Sequence, residues 1–142
     1  MNNLKIIKTL CYSGLIPFYV LSVLNFYVKS FIIIDIFTIY SLVILSFLFG
    51  STWLYLIIVE TKENIKLFLL FVILSPIFLI LCEIFLKIQI KLLIFAIFFF
   101  LVQLLDNKFL KNLDYLKIRK KLTILVIVSH ILILISIYPN GI

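Results

Sequence analysis

Five long apolar runs, separated by short polar stretches, dominate the pattern of this chain. They predict helices at about 9–27, 36–59, 67–86, 88–105 and 122–138. A helix needs about 20 apolar residues to cross the hydrocarbon core of a bilayer, and each run comes close to that length or exceeds it. We therefore predict an all-α fold class: one domain over residues 1–142, built as a bundle of five transmembrane helices with short loops.

The boundary between the third and fourth runs carries no Gly or Pro. A single helix over 64–105 would be about 63 Å long at 1.5 Å per residue, roughly twice the hydrocarbon core. Two helices are therefore predicted here. Lys91 lies near the start of the fourth helix, and we expect its ammonium group to reach back to the membrane surface.

The connection over 106–121 is the only one with room for structure of its own. Its apolar residues recur at helical spacing with lysines and Asp114 between them: Phe109, Leu110, Leu113 and Leu116. That pattern fits an interfacial helix lying on the membrane surface. It fits equally well a cytoplasmic extension of the fifth helix, and the sequence leaves both interpretations open.

Composition excludes a soluble domain. Hydrophobic residues make up 65% of the chain and charged residues 13%, against about 45–50% and about 25% in soluble domains. A chain of this size cannot bury so much apolar surface. The formal charge of +7 does not indicate a nucleic-acid partner, because the basic residues lie between the apolar runs. Membrane topology and anionic lipid at the cytoplasmic face explain them better.

The basic residues are divided unevenly between the two ends of the predicted bundle. Three lie on one side: Lys29, Lys87 and Lys91. The other ten lie on the side of the N-terminus: Lys5, Lys8, Lys62, Lys66, Lys108, Lys111, Lys117, Arg119, Lys120 and Lys121. Because cytoplasmic loops carry the excess of Lys and Arg, we predict a cytoplasmic N-terminus and a C-terminus on the opposite side.

The second helix contains small residues that indicate close packing. Ser46 and Gly50 are four residues apart and share one helix face. Small residues allow membrane helices to approach closely. We therefore predict that the second helix is central and packs against several neighbours through this face.

Several polar or helix-breaking residues fall near mid-helix and suggest an alternative. Pro17, Pro76 and His130 lie at about the same depth as Ser46 and Gly50. Each proline frees a carbonyl four residues earlier, and freed backbone must be buried in protein or face a wet cavity. Together these residues could form a polar layer at the bilayer midplane, where many transporters bind their substrates.

Ionisable residues within the runs are the remaining candidates for chemistry. His130 is the only histidine, and it is either a proton relay or ligand, or a neutral imidazole bonded to a hydroxyl or a freed carbonyl. Gln103 and Asp106 end the fourth helix on the inner side, where Arg119 also lies, and they can cap or bridge helices. Glu83, Lys87 and Lys91 are expected to be interface charges that pair weakly.

No motif for a metal, cofactor or catalytic nucleophile is visible in the sequence. One histidine supplies one ligand, and two isolated cysteines do not form a metal site. We therefore expect no catalytic residues, no metal and no cofactor, and we do not expect an enzyme.

Five segments together resemble the family called domain of unknown function 3429, which includes small inner-membrane proteins similar to transmembrane protein 69. They are SGLIPF at 13–18, YSLVILSFLFGSTW at 40–53, ILSPI at 73–77, FLVQLLDNK at 100–108 and LKIRKKLT at 116–123. The resemblance implies a five-helix protein of a bacterial or mitochondrial inner membrane, and it supplies no reaction. The chain departs from the family pattern near Thr52, where members often carry a charged residue or histidine, which argues against a role for Thr52.

These observations favour two functions over a third, a lipid or quinone binder that is not catalytic. The first is a non-enzymatic integral inner-membrane protein that acts as a subunit or assembly partner of a larger membrane complex, with other membrane subunits as partners. The alternative is a small transporter or channel with a midplane polar layer around His130. Polar residues are plentiful on the inner side and few on the outer side, which favours the first.

Overall fold

The computed structural model describes residues 2–58, 65–110 and 112–137, which form six α-helices. In chain order these are α1 (Asn2–Ser13), α2 (Ile16–Val28), α3 (Phe31–Ile58), α4 (Ile65–Phe85), α5 (Ile88–Phe109) and α6 (Leu113–Ile137). Five stretches are long and apolar enough to cross a membrane, the first of them Lys8–Val28, which includes the end of α1 and all of α2. The predicted all-helical bundle with five membrane spans is confirmed.

The first span is broken, whereas the sequence predicted one continuous helix over 9–27. α1 ends at Ser13, and α2 begins at Ile16 with Pro17 in its first turn. Proline has no N–H and is tolerated in the first turn of a helix but not in its interior, so the chain starts a new helix at this point. The Tyr40 hydroxyl of α3 donates to the Gly14 carbonyl at 2.9 Å and satisfies backbone exposed by the break.

The other helices differ from their predicted bounds mainly at the ends. α3 begins at Phe31, five residues before the predicted start, and α5 continues to Phe109 rather than ending at 105. The predicted ends at 59 and 138 lie outside the described residues. α6 runs without interruption from Leu113 into the fifth span, so Leu113 and Leu116 lie on an extension of that helix and not on a separate interfacial helix, while Phe109 ends α5.

α3 has several neighbours in the bundle, as predicted, but it does not contact them through the face that carries Gly50. It packs against α2, α4 and α5, while α6 packs against α5, α2 and α1. The face that α3 buries combines large apolar side chains with hydroxyl residues: Ile34, Phe37, Leu45, Phe49 and Leu56 with Thr38, Ser41 and Thr52. Large apolar side chains on the outer faces of all five spans are exposed, as a lipid environment requires.

The contact predicted for Ser46 and Gly50 is wrong within this chain. Gly50 is exposed, and a Cβ at this position would meet no atom within 4 Å. Ser46 is only partly buried. The helix is apolar on every side, so its hydropathy does not indicate which face turns inward, and the small residues lie on the outward face.

Candidate functional site

Three groups of buried side chains that include a charged residue or the histidine lie inside the described part of the bundle. The Asp106 cluster consists of Thr52, Asp106 and Arg119, at the end where α5 leads into α6. The Glu83 cluster consists of Thr38, Glu83 and Lys91, at the opposite end, where α4 leads into α5. Between them along α5 lies Phe99, whose ring contacts His130. These groups are the candidate functional site.

The Asp106 cluster joins three helices through an ion pair that is shielded from solvent. Arg119 Nε of α6 lies 3.0 Å from Asp106 Oδ2 of α5, and the two side chains are only 6% and 3% exposed. The guanidinium carbon of Arg119 also lies 5.7 Å from the centre of the Tyr115 ring. A pair this deeply buried requires good geometry on both partners, since each charge has lost its water.

Gln103 extends this cluster by one turn of α5. Its Oε1 accepts from the Thr123 hydroxyl of α6 at 3.2 Å, and its Nε2 donates to Asn107 Oδ1 at 3.0 Å. The structure therefore brings the three inner-side candidates, Gln103, Asp106 and Arg119, to one seam between α5 and α6. Their contacts there connect α5 to α6.

Thr52 belongs to the Asp106 cluster, although the departure from the family pattern argued against a role for it. Its hydroxyl donates to Leu48 O at 3.0 Å and lies 3.4 Å from Asp106 Oδ1. The residue is almost fully buried. A threonine in a membrane helix normally satisfies its hydroxyl on its own backbone, so its type alone gave no signal of a second partner.

The Glu83 cluster corrects two expectations about the outer charges. Lys91 does not reach the membrane surface: it is 6% exposed, and its ammonium group lies 2.9 Å from Glu83 Oε1. The pair is not a weak surface contact either, because the Thr38 hydroxyl of α3 donates to the same carboxylate oxygen at 2.8 Å. Lys87, by contrast, is exposed as expected. The cluster therefore ties α3, α4 and α5 together.

His130 lies in an aromatic cage rather than in a polar layer. The centres of the Phe37, Phe99 and Phe18 rings lie 4.8, 5.5 and 5.9 Å from the centre of the imidazole. The imidazole is fully buried. The predicted midplane layer is therefore wrong: Gly50 faces outward, Pro17 and Pro76 are partly buried, and phenylalanine surrounds the histidine.

The hydrogen bond of His130 fixes which ring nitrogen carries the proton. Nδ1 lies 2.9 Å from the Val126 carbonyl, one turn earlier on α6. A carbonyl can only accept, so Nδ1 donates and the Nε2 of the neutral ring keeps a bare lone pair. Within the described part of the chain, Nε2 is buried and has no hydrogen-bond partner.

A polar seam between α2 and α6 was not predicted from the sequence. Tyr19 donates to Leu125 O at 2.9 Å, and Asn25 Nδ2 donates to Ser136 Oγ at 2.7 Å. Between them Ser22 Oγ, which donates to Phe18 O at 2.7 Å, lies 3.3 Å from Ser129 O. The three residues on α2 are spaced i, i+3, i+6, which places them on one helix face. That spacing is the signal that could have identified the seam.

The chemistry available inside the described bundle is that of acids, bases and hydroxyls. Over residues 2–58, 65–110 and 112–137, no three His, Cys, Asp or Glu side chains are grouped as a metal site requires. The proton-exchanging groups that belong to the three sites described here include Glu83, Lys91, Asp106 and His130.

Comparison with known proteins gives one match. No curated protein and no solved structure matches the chain. A family model described as "Protein of unknown function (DUF3429)" matches residues 4–135, which is nearly the whole chain and includes all three buried polar groups. The match confirms the resemblance found in the five sequence segments. The chain belongs to the DUF3429 family of proteins of unknown function.

Proposed function

We propose that this integral membrane protein is a non-enzymatic subunit or assembly partner of a larger complex in a bacterial or organellar inner membrane. In this proposal its N-terminus lies on the cytoplasmic or matrix side, with anionic lipid at that face. Its contribution to the complex is the packing of its helices against other membrane subunits.

The observation that carries this proposal is how the bundle uses its polar groups. The buried charged side chains within the spans, such as Arg119 and Lys91, bond to neighbouring helices of the same chain. The outward faces present apolar side chains, including Phe47 and Leu54 of α3. These apolar outer faces are available to pack against helices of other membrane subunits. Gly50, on the outward side of α3, lets another helix approach closely, as small residues do at membrane helix contacts.

The experiment is a native gel of membranes solubilised in mild detergent from the host, with the protein followed by a C-terminal tag. We expect a band well above the mass of the 16.7 kDa chain with its detergent. Gly50→Leu should shift the protein to the monomer position, while Ser51→Ala, a change at the neighbouring residue, should leave the large band in place. Migration of the wild-type protein as a monomer in several mild detergents would contradict the proposal.

A second candidate function, a small transporter or channel, is favoured by the bare Nε2 of His130. A polar atom with no partner at this depth is costly, and intramembrane ionisable residues commonly mark transport pathways. The test is whether the purified protein makes liposomes permeable to a small ion. Liposomes as tight as protein-free ones to H⁺, K⁺ and Cl⁻ would remove ion transport from consideration.

A further inference from the structure

Buried polar atoms without partners recur along the bundle. Among the described residues they are Glu83 Oε2, His130 Nε2 and Arg119 Nη2, with Asn25 Oδ1 on the α2–α6 seam as a fourth. The first three belong to the Glu83 cluster, the aromatic cage and the Asp106 cluster. Buried polar groups that lack a protein partner are commonly satisfied by internal water, so these three sites are where water would enter the bundle.

The spacing along α5 places the three sites in order. Lys91, Phe99 and Asp106 are contributed by one helix, eight and seven residues apart. At 1.5 Å per residue these separations correspond to about 12 Å and about 10 Å along the helix axis. α3 contributes to all three sites as well, through Thr38, Phe37 and Thr52. The ionisable groups therefore run from one end of the bundle to the other.

The aromatic cage determines what can pass between the two clusters. The rings of Phe18, Phe37 and Phe99 pack directly on the imidazole, and all four side chains are almost completely buried. A hydrated metal cation or an anion finds no ligands there, and an apolar constriction excludes it. A proton needs only a basic atom, and the Nε2 lone pair is one.

We propose that the bundle transfers protons between its two ends and that His130 is the residue that accepts and releases them in the middle. This inference rests on the second candidate function and names the transported species. It is independent of whether the protein also belongs to a larger complex.

The transfer can be written with every proton accounted for. The Glu83 carboxylate, which is paired with Lys91, first takes up a proton from water at its end of the bundle. The resulting carboxyl passes the proton on through internal water: its O–H bond breaks, an N–H bond forms at His130 Nε2, and a carboxylate and an imidazolium remain.

The imidazolium then loses the same Nε2 proton through water to the Asp106 carboxylate, and the neutral ring returns. Asp106 finally releases the proton to water at the other end, which restores its carboxylate beside Arg119. Nδ1 keeps its bond to Val126 O throughout, so the ring does not have to turn over.

The cage also stabilises the charged intermediate. The centres of the three phenylalanine rings lie within 6 Å of the imidazole centre, the range in which a cation is attracted to an aromatic ring. The phenylalanines would thus have two effects: they exclude other ions, and they lower the cost of a transient imidazolium in the membrane.

The experiment measures proton flux into proteoliposomes that carry a pH-sensitive dye inside, driven by a potassium diffusion potential set with valinomycin. We expect wild-type protein to acidify the lumen at least several-fold faster than protein-free liposomes. His130→Gln keeps a polar side chain that cannot titrate, and it should reduce the flux to the protein-free level. Lys87→Gln removes an exposed charge four residues from buried Lys91 and should retain the wild-type flux.

Wild-type flux no greater than that of protein-free liposomes would overturn the proposal, as would a His130→Gln protein that conducts like wild type. If His130→Gln does not reconstitute, Glu83→Gln replaces it in the test: the proposal expects flux at the protein-free level, and flux equal to wild type would overturn it. A wild-type protein that admits K⁺ but not H⁺ would leave the transporter candidate standing and refute proton transfer.

Discussion

At the scale of single residues, two ion pairs that involve α6 show how burial changes what the loss of one charged partner costs in stability. The Arg119 and Asp106 side chains are almost inaccessible to solvent, and Arg119 Nε lies 3.0 Å from Asp106 Oδ2. The Lys117 and Asp114 side chains are 79% and 73% exposed, and Lys117 Nζ lies 3.9 Å from Asp114 Oδ1. The exposed pair is solvated whether or not it forms. The buried pair cannot be broken without leaving a charge inside the protein.

Arg119→Gln should therefore destabilise the folded protein by about 3–5 kcal/mol, because Asp106 loses the partner of its buried carboxylate. Lys117→Gln should change the free energy of unfolding by less than about 1 kcal/mol. Both can be measured by denaturant titration in detergent micelles. Equal effects of the two substitutions would mean that the Asp106 cluster is hydrated in the folded protein.

Gly50 and Ser41 form a second comparison on α3. Gly50 faces outward with open space at its Cβ, and Ser41 is fully buried. Ser41→Leu should cost about 1–3 kcal/mol by overpacking, whereas Gly50→Leu should leave the isolated protein as stable as wild type or slightly more stable. Thermal unfolding of the purified monomer measures both. A loss at Gly50 equal to that at Ser41 would place a neighbouring helix on the Gly50 face.

The residues of the candidate site were predictable to different degrees. Gln103, Asp106 and Arg119 could be identified because charged and amide side chains are rare in membrane helices and usually have partners. Thr52 could not, since its hydroxyl already bonds to Leu48 O on its own helix. Lys91 was placed wrongly because a long lysine near a helix end normally extends to the surface, and only packing shows that Glu83 holds it inside.

At the scale of helices, the break between α1 and α2 is the feature that hydropathy alone does not reveal. Ser13, Gly14 and Pro17 lie at the break, but the apolar run resumes directly after them, so hydropathy predicts a single span. The start of α3 was predicted too late, at residue 36, because a polar residue was taken to mark a helix end where there is none. Asp35 interrupts the apolar pattern, yet the helix begins at Phe31 because a carboxylate near a helix end does not break the backbone hydrogen bonds.

Tyr40→Phe tests how the break is held. The substitution removes the hydroxyl that donates to the Gly14 carbonyl and should cost about 1 kcal/mol. Tyr27→Phe removes a hydroxyl from a side chain that is 83% exposed and should have no effect on stability. Differential scanning calorimetry of the two variants in the same detergent measures both. A Tyr40→Phe protein as stable as wild type would mean that water satisfies the Gly14 carbonyl.

At the scale of the whole molecule, the number of spans followed from the sequence and the arrangement of polar groups within them did not. Five apolar runs of bilayer length define five spans, because each backbone segment must satisfy its own hydrogen bonds in lipid. The length of an apolar run does not indicate which face of the helix turns inward, and the hydropathy pattern does not either when the helix is apolar on all sides. For this reason Gly50 was expected inside and is outside, and the level expected to be polar is filled by Phe18, Phe37 and Phe99.

The central claim is that the chain crosses the membrane five times, since both proposals depend on these spans. We propose in addition that its more basic end lies on the cytoplasmic or matrix side. Single cysteines can test it in a protein whose own thiols, Cys11 and Cys82, have been replaced by serine and alanine. Asn112→Cys lies in the connection between α5 and α6, and Lys87→Cys lies in the connection between α4 and α5, both at exposed positions. In intact bacterial cells, or in mitoplasts for an organellar host, a membrane-impermeant maleimide should label Lys87→Cys at once. It should label Asn112→Cys only after the membrane is opened. Labelling of Asn112→Cys from outside, or of both positions from the same side, would contradict the account.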